Sequence, residues 1–141
     1  MADTLELELV SPESLLLSRP VEMVIVPGAE GDFGVLSGHA PLISNIRPGA
    51  LVVFEGGNVA ERFFFAGGFA EVTTERCTIL AEGAIRVADI DRAAVEQEIR
   101  DLRDDIAQVA EDADRRAPAA SLAVAEAKLQ ALDAPAYSGA Q

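Results

Sequence analysis

One imidazole and one thiol bound the nucleophilic chemistry open to this chain. His39 is the only histidine and Cys77 the only cysteine. Serine or cysteine catalysis needs a base within hydrogen-bond reach, and His39 alone could supply it, with nothing nearby in sequence to orient the ring. Cys77 lies in the apolar run "RCTIL", where a buried structural thiol is the simpler reading, and no intramolecular disulfide can form. Glu30, Asp32 and His39 could be imagined around a metal ion, but their spacing matches no ligand motif and a multi-histidine set is ruled out.

These side chains share one stretch, "VPGAEGDFGVLSGHAP" at residues 26–41, with four glycines and two prolines. Its glycines resemble a phosphate loop only superficially. No Lys-Ser/Thr follows them, and Glu30 and Asp32 would repel a phosphate. The plain alternative is a tight inter-strand loop in which glycine supplies positive φ and Pro41 fixes the exit. That accounts for the glycines but not for exposed acids beside Phe33. A loop of fixed shape that carries charge suits a docking surface.

The elements that position this stretch follow from hydrophobic periodicity. "LELEL" alternates at period two, as a half-buried antiparallel strand does. "VEMVIV" ends at Pro27-Gly28, and "ALVVF" ends at Glu55-Gly56-Gly57-Asn58, a hairpin signal followed by "VAERFFF". "FAEVT" and "CTILAEGAIRV" complete a pattern of short strands, which predicts a β-sandwich or barrel. At Ala88-Asp89 the period changes. Val95, Ile99, Leu102, Ile106, Val109 and Ala113 recur at steps of four and three, the seam of an amphipathic helix. Asp89 and Asp91 suit its N-terminus, and Arg115 and Arg116 its C-terminus. "APA" at 117–119 breaks it, and Pro118 fits the first turn of a second helix striped by Leu122, Leu129 and Leu132. The expected fold is therefore an N-terminal antiparallel β-sandwich over 1–87, then an antiparallel two-helix hairpin over 88–133, then a frayed tail over 134–141.

Half of the residues are hydrophobic, enough for one packed domain with a small appendage. The net charge of −13 is spread along the chain, with −7 over residues 1–88 and −6 over 89–141. Such a field disfavours nucleic acid and anionic lipid, so membrane contact is expected only through a partner. "MADTLELEL" lacks the layout of a signal peptide, and no stretch approaches the ~18 apolar residues of a membrane span.

At this level of detail the sequence resembles a family. "EGDFGVLSGHAPLI" followed by "RPGAL" is similar to the signature of the epsilon subunit of the F-type ATP synthase, called delta in mitochondria. "FFFAGGFAEV" and "CTILAEGAIR" resemble the family's later strands. The resemblance implies a non-catalytic rotor subunit whose sandwich grips the gamma subunit and rests on the c-ring. It places Glu30, Gly31, Asp32 and Phe33 toward the c-ring, with Asp32 one methylene shorter than the family's usual glutamate. Ser11, His39 and Ser44 would face gamma. The hairpin is implied to reach the alpha/beta catalytic head transiently and restrain ATP hydrolysis. Residues 118–141 hold one cation, Lys128, so an acidic arm would approach an acidic loop there. That opposes strong inhibition by about 1 kcal/mol per close exposed pair before screening.

Some relatives bind ATP at the hairpin base through I/L-D-x-x-R-A. Here Asp89 and Arg92 fall in register, but Ala88 replaces the aliphatic residue. An N-cap with a first-turn salt bridge is the competing reading, and no cofactor is expected. The location implied is peripheral, on the cytoplasmic face of a bacterial plasma membrane, within the synthase. A free-standing β-sandwich adaptor or ligand-binding module remains the alternative from a different class.

Overall fold

The computed structural model describes residues 4–109 and 115–134. Ten strands come first: β1 (Leu5–Val10), β2 (Leu15–Val21), β3 (Met23–Gly28), β4 (Gly31–Leu36), β5 (Leu42–Ile46), β6 (Gly49–Glu55), β7 (Asn58–Phe65), β8 (Gly67–Val72), β9 (Arg76–Glu82) and β10 (Ile85–Arg86). A 3₁₀ turn (Val87–Asp89) leads to α1 (Arg92–Gln108) and α2 (Arg116–Asp133). The strands form one sheet in the order β10-β7-β6-β3-β5-β8-β9-β1-β2, with β4 hydrogen-bonded to β3. Every pairing is antiparallel except β1 with β9.

The sheet curls until its two halves face each other. Leu5, Leu7, Leu9, Val72, Cys77 and Ile79 from one half meet Val24, Val26, Val35, Leu51, Val53, Phe63 and Phe65 from the other in a single buried cluster. The seam of the curl carries ion pairs: Arg19 on β2 sits 2.8 Å from both Glu55 of β6 and Glu61 of β7, and Glu61 also accepts from Arg86. β2 pairs with β1 alone, which is why Pro20 is tolerated there: an edge strand can leave one backbone amide unmade.

The run Phe63-Phe64-Phe65 has no polar alternate because both faces of β7 are covered. Phe63 and Phe65 enter the sandwich core, while Phe64 points outward and is fully buried beneath the helices. Around Phe64 gather Val87, Ile90, Val95, Ile99, Ala125 and Ala131, a second core that fastens the hairpin to the sheet. Arg62 of β7 adds a hydrogen bond of 2.9 Å to the Ala131 carbonyl of α2. Burying a phenylalanine of this kind contributes about 1.5–3 kcal/mol.

The structure corrects several expectations. Residues 26–41 are not one loop. β3 runs through Pro27 to Gly28 and turns at Ala29-Glu30, after which β4 begins, so Asp32 and Phe33 are strand residues. Glycine at every third or fourth position hid the period-two signal of half-buried Phe33 and buried Val35. α1 is shorter than its apolar seam: Val109 is already an extended C-cap, and Ala113 lies outside the described residues. Arg115 and Arg116 open α2 rather than close α1. Arg115 nevertheless serves the end of α1, because Nε and Nη2 reach back to the Val109 carbonyl at 3.1 and 2.8 Å. Pro118 does occupy the first turn of α2, and the Glu55–Asn58 hairpin turns on Gly56 and Gly57, both at positive φ. Of the tail, only Ala134 lies within the described residues.

Candidate functional site: a clamped turn and an apolar sheet face

The β3–β4 turn is held from two sides. Gly28 leaves no room for a side chain, since a Cβ there would stand 2.7 Å from the Gly31 carbonyl and 2.8 Å from the Phe33 ring. Gly31 has φ +136°, a conformation that disfavours any other residue. Arg47, just past β5, donates from Nη1 to the Gly28 carbonyl at 2.6 Å and from Nη2 to Asp32 Oδ1 at 2.5 Å. The Ala29 amide bonds to the Asn45 carbonyl and the Arg47 amide to the Pro27 carbonyl. Glu30 is left exposed at the tip, and Phe33 is half-buried. Beside Asp32 a small cleft of about 120 Å³ runs under the end of α2, lined by Pro48, Gly49, Ala127 and Ala131.

A second feature lies on the outer face of the other half-sheet. Asn45, Phe69, Leu80, Val10 and Leu15 stand in register across β5, β8, β9, β1 and β2. Phe69 is 41% exposed, Leu80 42% and Leu15 58%. Ile43, on the same face one pleat away, is 69% exposed. A contiguous row of large apolar side chains on the solvent side of a sheet marks an interaction surface. Sequence reasoning passed over these residues, although the signal was present. Phe69 and Leu80 occupy the parity that Glu71 and Thr78 fill with polar groups.

Ser11 and His39 border this row, Ser44 lies on the opposite parity of β5, and the three form no cluster. Ser11 sits in the β1–β2 turn, bonded to Ser14. His39 is in the β4–β5 connection at the opposite end of the half-sheet, its Nδ1 2.6 Å from the Ala40 carbonyl, and the adjacent Gly38 amide bonds to the Thr74 carbonyl. Ser44 pairs in register with buried Ala70, on the inward parity, and its hydroxyl donates to the Asn45 carbonyl at 3.0 Å. Cys77 is fully buried, and burial pushes its thiol up to about 12, so it is no nucleophile at neutral pH. Among the described residues, no group of His, Cys, Asp and Glu is arranged to hold a metal ion.

The hairpin base separates Asp89 from Arg92. Ile90 is extended between the 3₁₀ turn and α1, so the two residues never share a helix, and no first-turn pair forms. Arg92 instead meets Asp133 at the end of α2, at 2.5 Å. Asp91 is the N-cap, accepting from the Ala94 amide at 3.2 Å. Asp89 lines a groove with Asp91, Glu98, Asp101 and Asp105 against one cation, Lys128, a field that opposes a triphosphate.

Comparison with known proteins fits this architecture. Residues 4–87 match the family described as the ATP synthase Delta/Epsilon chain, beta-sandwich domain. Residues 91–137 match the family of the C-terminal domain of the ATP synthase epsilon subunit. The protein is 49% identical over 131 residues to the ATP synthase epsilon chain of Rhodospirillum rubrum, covering 93% of this sequence and 98% of that one. It is 55% identical over 135 residues to the epsilon chain of Rhodospirillum centenum, covering 92% of each. A subunit in the Euglena gracilis mitochondrial ATP synthase OSCP/F1/c-ring structure superposes with a TM-score of 0.82 at 26% identity, over 92% of this sequence and 81% of that one. One in the Tetrahymena thermophila mitochondrial ATP synthase central stalk/c-ring structure shares the fold, with a TM-score of 0.59 at 17% identity over 91% and 96% of the two. No helix among the described residues is long and apolar enough to cross a membrane. With a β-sandwich and a C-terminal domain matched in order along its length, the chain belongs to the ATP synthase epsilon family and is a non-catalytic subunit of that complex.

Proposed function

We propose that this protein is a central-stalk subunit that links gamma to the c-ring, so that ion movement through the ring turns the stalk and drives ATP synthesis. The observation that carries the reading is the row Phe69, Leu80 and Leu15, with Ile43 beside it, on a sheet face that the hairpin does not cover. A surface of this kind gains affinity from apolar burial, and it offers gamma a flat, rigid contact. Ser11 and His39, which bound the face at its two ends, and Ser44 are proposed to meet gamma as well. The turn with Glu30, Gly31, Asp32 and Phe33 is proposed to meet the c-ring. Its clamped geometry holds a charged tip in fixed shape, and c-ring loops with basic groups would complement it.

The sandwich and hairpin act as separable units in this reading. The hairpin, packed down on Phe64, contacts the alpha/beta head only when released, and it restrains hydrolysis weakly. ATP binding at Asp89 and Arg92 plays no part. The protein works at the cytoplasmic face of a bacterial membrane, held there by the complex. A pull-down of gamma by the intact protein, against a Phe69→Asp/Leu80→Asp variant, tests the proposal. Both residues are solvent-facing, so the variant should stay folded by circular dichroism while gamma retention falls at least about tenfold. Unchanged retention by a folded variant would remove this face from the gamma contact.

A further inference from the structure

The apolar row on the outer sheet face is bracketed by charge. Phe69 of β8 pairs with Leu80 of β9, and the two strands run antiparallel. Two residues beyond Phe69 stands Glu71, and two beyond Leu80 stands Glu82, so the acids fall on opposite sides of the row. Both are exposed. Four strand steps of about 3.3 Å set them about 13 Å apart along the strands. Glu82 lines a depression of about 370 Å³ together with Phe69, Leu80, Val10 and Ser11. On the other side Glu71 pairs in register with Ile43, the most exposed apolar residue of the face. Glu8, two strands further on, is already held by Arg76 at 2.7 Å. Among the described residues, neither Glu71 nor Glu82 forms an ion pair.

Building on the proposed gamma contact, we infer that this face takes one amphipathic helix of gamma laid across the strands. Glu71 and Glu82 select that helix through Lys or Arg on both flanks of its apolar stripe. Spacing favours a helix over a strand. Phe69, Leu80, Val10 and Leu15 step from strand to strand at about 4.8 Å, close to the 5.4 Å pitch at which a helix repeats one face. A strand laid along the row would present same-face side chains every 6.6 Å or so and lose register. A helix about 10–12 Å wide also fills the gap between the two acids. A partner without cations there would bury two unpaired carboxylates, a cost that rejects it. Charge removes the other occupants. Nucleic acid and anionic lipid meet the same sign, and a second copy brings a net charge of −13. The protein's own helices are engaged over Phe64 on the other half of the sheet, and residues 135–141 (PAYSGAQ) hold no cation.

The test measures gamma binding by the full-length protein and its variants, each checked for fold by circular dichroism. Glu71→Lys/Glu82→Lys should bind gamma at least about tenfold more weakly than the parent, with Glu71→Gln/Glu82→Gln in between. Affinity of the parent should fall with salt, whereas that of the lysine variant should rise. Amide exchange on the complex should show one protected gamma segment over this face, apolar at helical spacing, with Lys or Arg on both flanks. Phe69→Asp/Leu80→Asp separates the two possible failures. If that variant binds gamma as the parent does, the face is not the gamma contact and the underlying reading falls. If it loses gamma while Glu71→Lys/Glu82→Lys stays within about twofold of the parent, the contact stands and selection by charge is overturned. A protected gamma segment with alternating spacing, or one without Lys or Arg, overturns the helix.

Discussion

Arg47 holds Asp32 at 2.5 Å while its other nitrogen reaches the Gly28 carbonyl at 2.6 Å. One guanidinium thus ties both strands of the β3–β4 hairpin, beside its turn, to the end of β5. The carboxylate that the sequence presents as a free docking charge is engaged within its own chain. An incoming cation would have to share Asp32 with Arg47, and Glu30, exposed at the tip, is the less encumbered charge.

Replacing Asp32 with arginine should therefore act on function more than on stability. Both partners are more than 40% exposed, and pairs of that kind contribute about 0–1 kcal/mol. Thermal unfolding of Asp32→Arg should shift by only a few degrees, while gamma retention stays near that of the parent. ATP-driven proton pumping by the reconstituted complex should fall, because a cation would then face the ring in the proposed arrangement. Lost gamma retention with normal pumping would exchange the two assigned surfaces.

Much of this fold was legible because period and parity are local. Alternating "LELEL" became β1, Glu55-Gly56-Gly57-Asn58 became a two-residue turn, and the four-three spacing of Val95, Ile99 and Leu102 became the inner face of α1. β4 escaped because glycine carries no hydropathy signal, and its pairing depends on the close approach at Gly28. The end of α1 escaped because a C-cap is decided by what the next segment offers, here the side chain of Arg115. Phe69 and Leu80 were readable as outward-facing from the parity they share with Glu71 and Thr78, but not as left uncovered. Exposure depends on which sheet face the hairpin covers, and no window of sequence contains that choice.

Acid should weaken the seam of the curled sheet. Burial opposes the charged form of Glu61, yet the Arg86 and Arg19 guanidiniums together outweigh it and hold the carboxyl below its ordinary value of 4.5. A carboxyl depressed in the folded state stabilises the fold fully above its unfolded value, and that contribution is lost as pH falls through the folded one. Urea unfolding as a function of pH should show the parent protein losing stability below about pH 4.5. Glu61→Gln should be less stable near neutrality and show a flatter acid limb. Parallel acid limbs for the two proteins would mean that the pairing contributes nothing.

Cys77 should be chemically silent in the folded protein. Its thiol is buried and stays protonated at neutral pH. A thiol-reactive dye should label it only at the rate of unfolding, and fully in denaturant. Rapid labelling under native conditions would show that the β8–β9–β1 region opens locally.

Deleting residues 89–141 tests how the hairpin is held. The sandwich has its own core, so residues 1–88 should unfold cooperatively. They should be less stable than the full-length protein, because Phe64 and Ile85 become exposed. In the intact synthase, ATP hydrolysis should rise by less than about tenfold, equivalent to about 1.4 kcal/mol, on deletion. In the proposed function two states of the hairpin would compete. Packed down, it buries Val95, Ile99, Ala125 and Ala131 over Phe64, and keeps Arg62 on the Ala131 carbonyl, Arg92 on Asp133 and Arg103 on Glu126. An extended form, as the proposed function would have it, would give up all of these and bring a net charge of −6 toward the head. Only a ligand or partner that favours the extended form more strongly could reverse that preference. Hydrolysis by complexes with the intact and truncated subunit, at low and high salt, decides the matter. A hundredfold release on truncation, insensitive to salt, would mean that apolar contacts in the head outweigh both the Phe64 core and the charge.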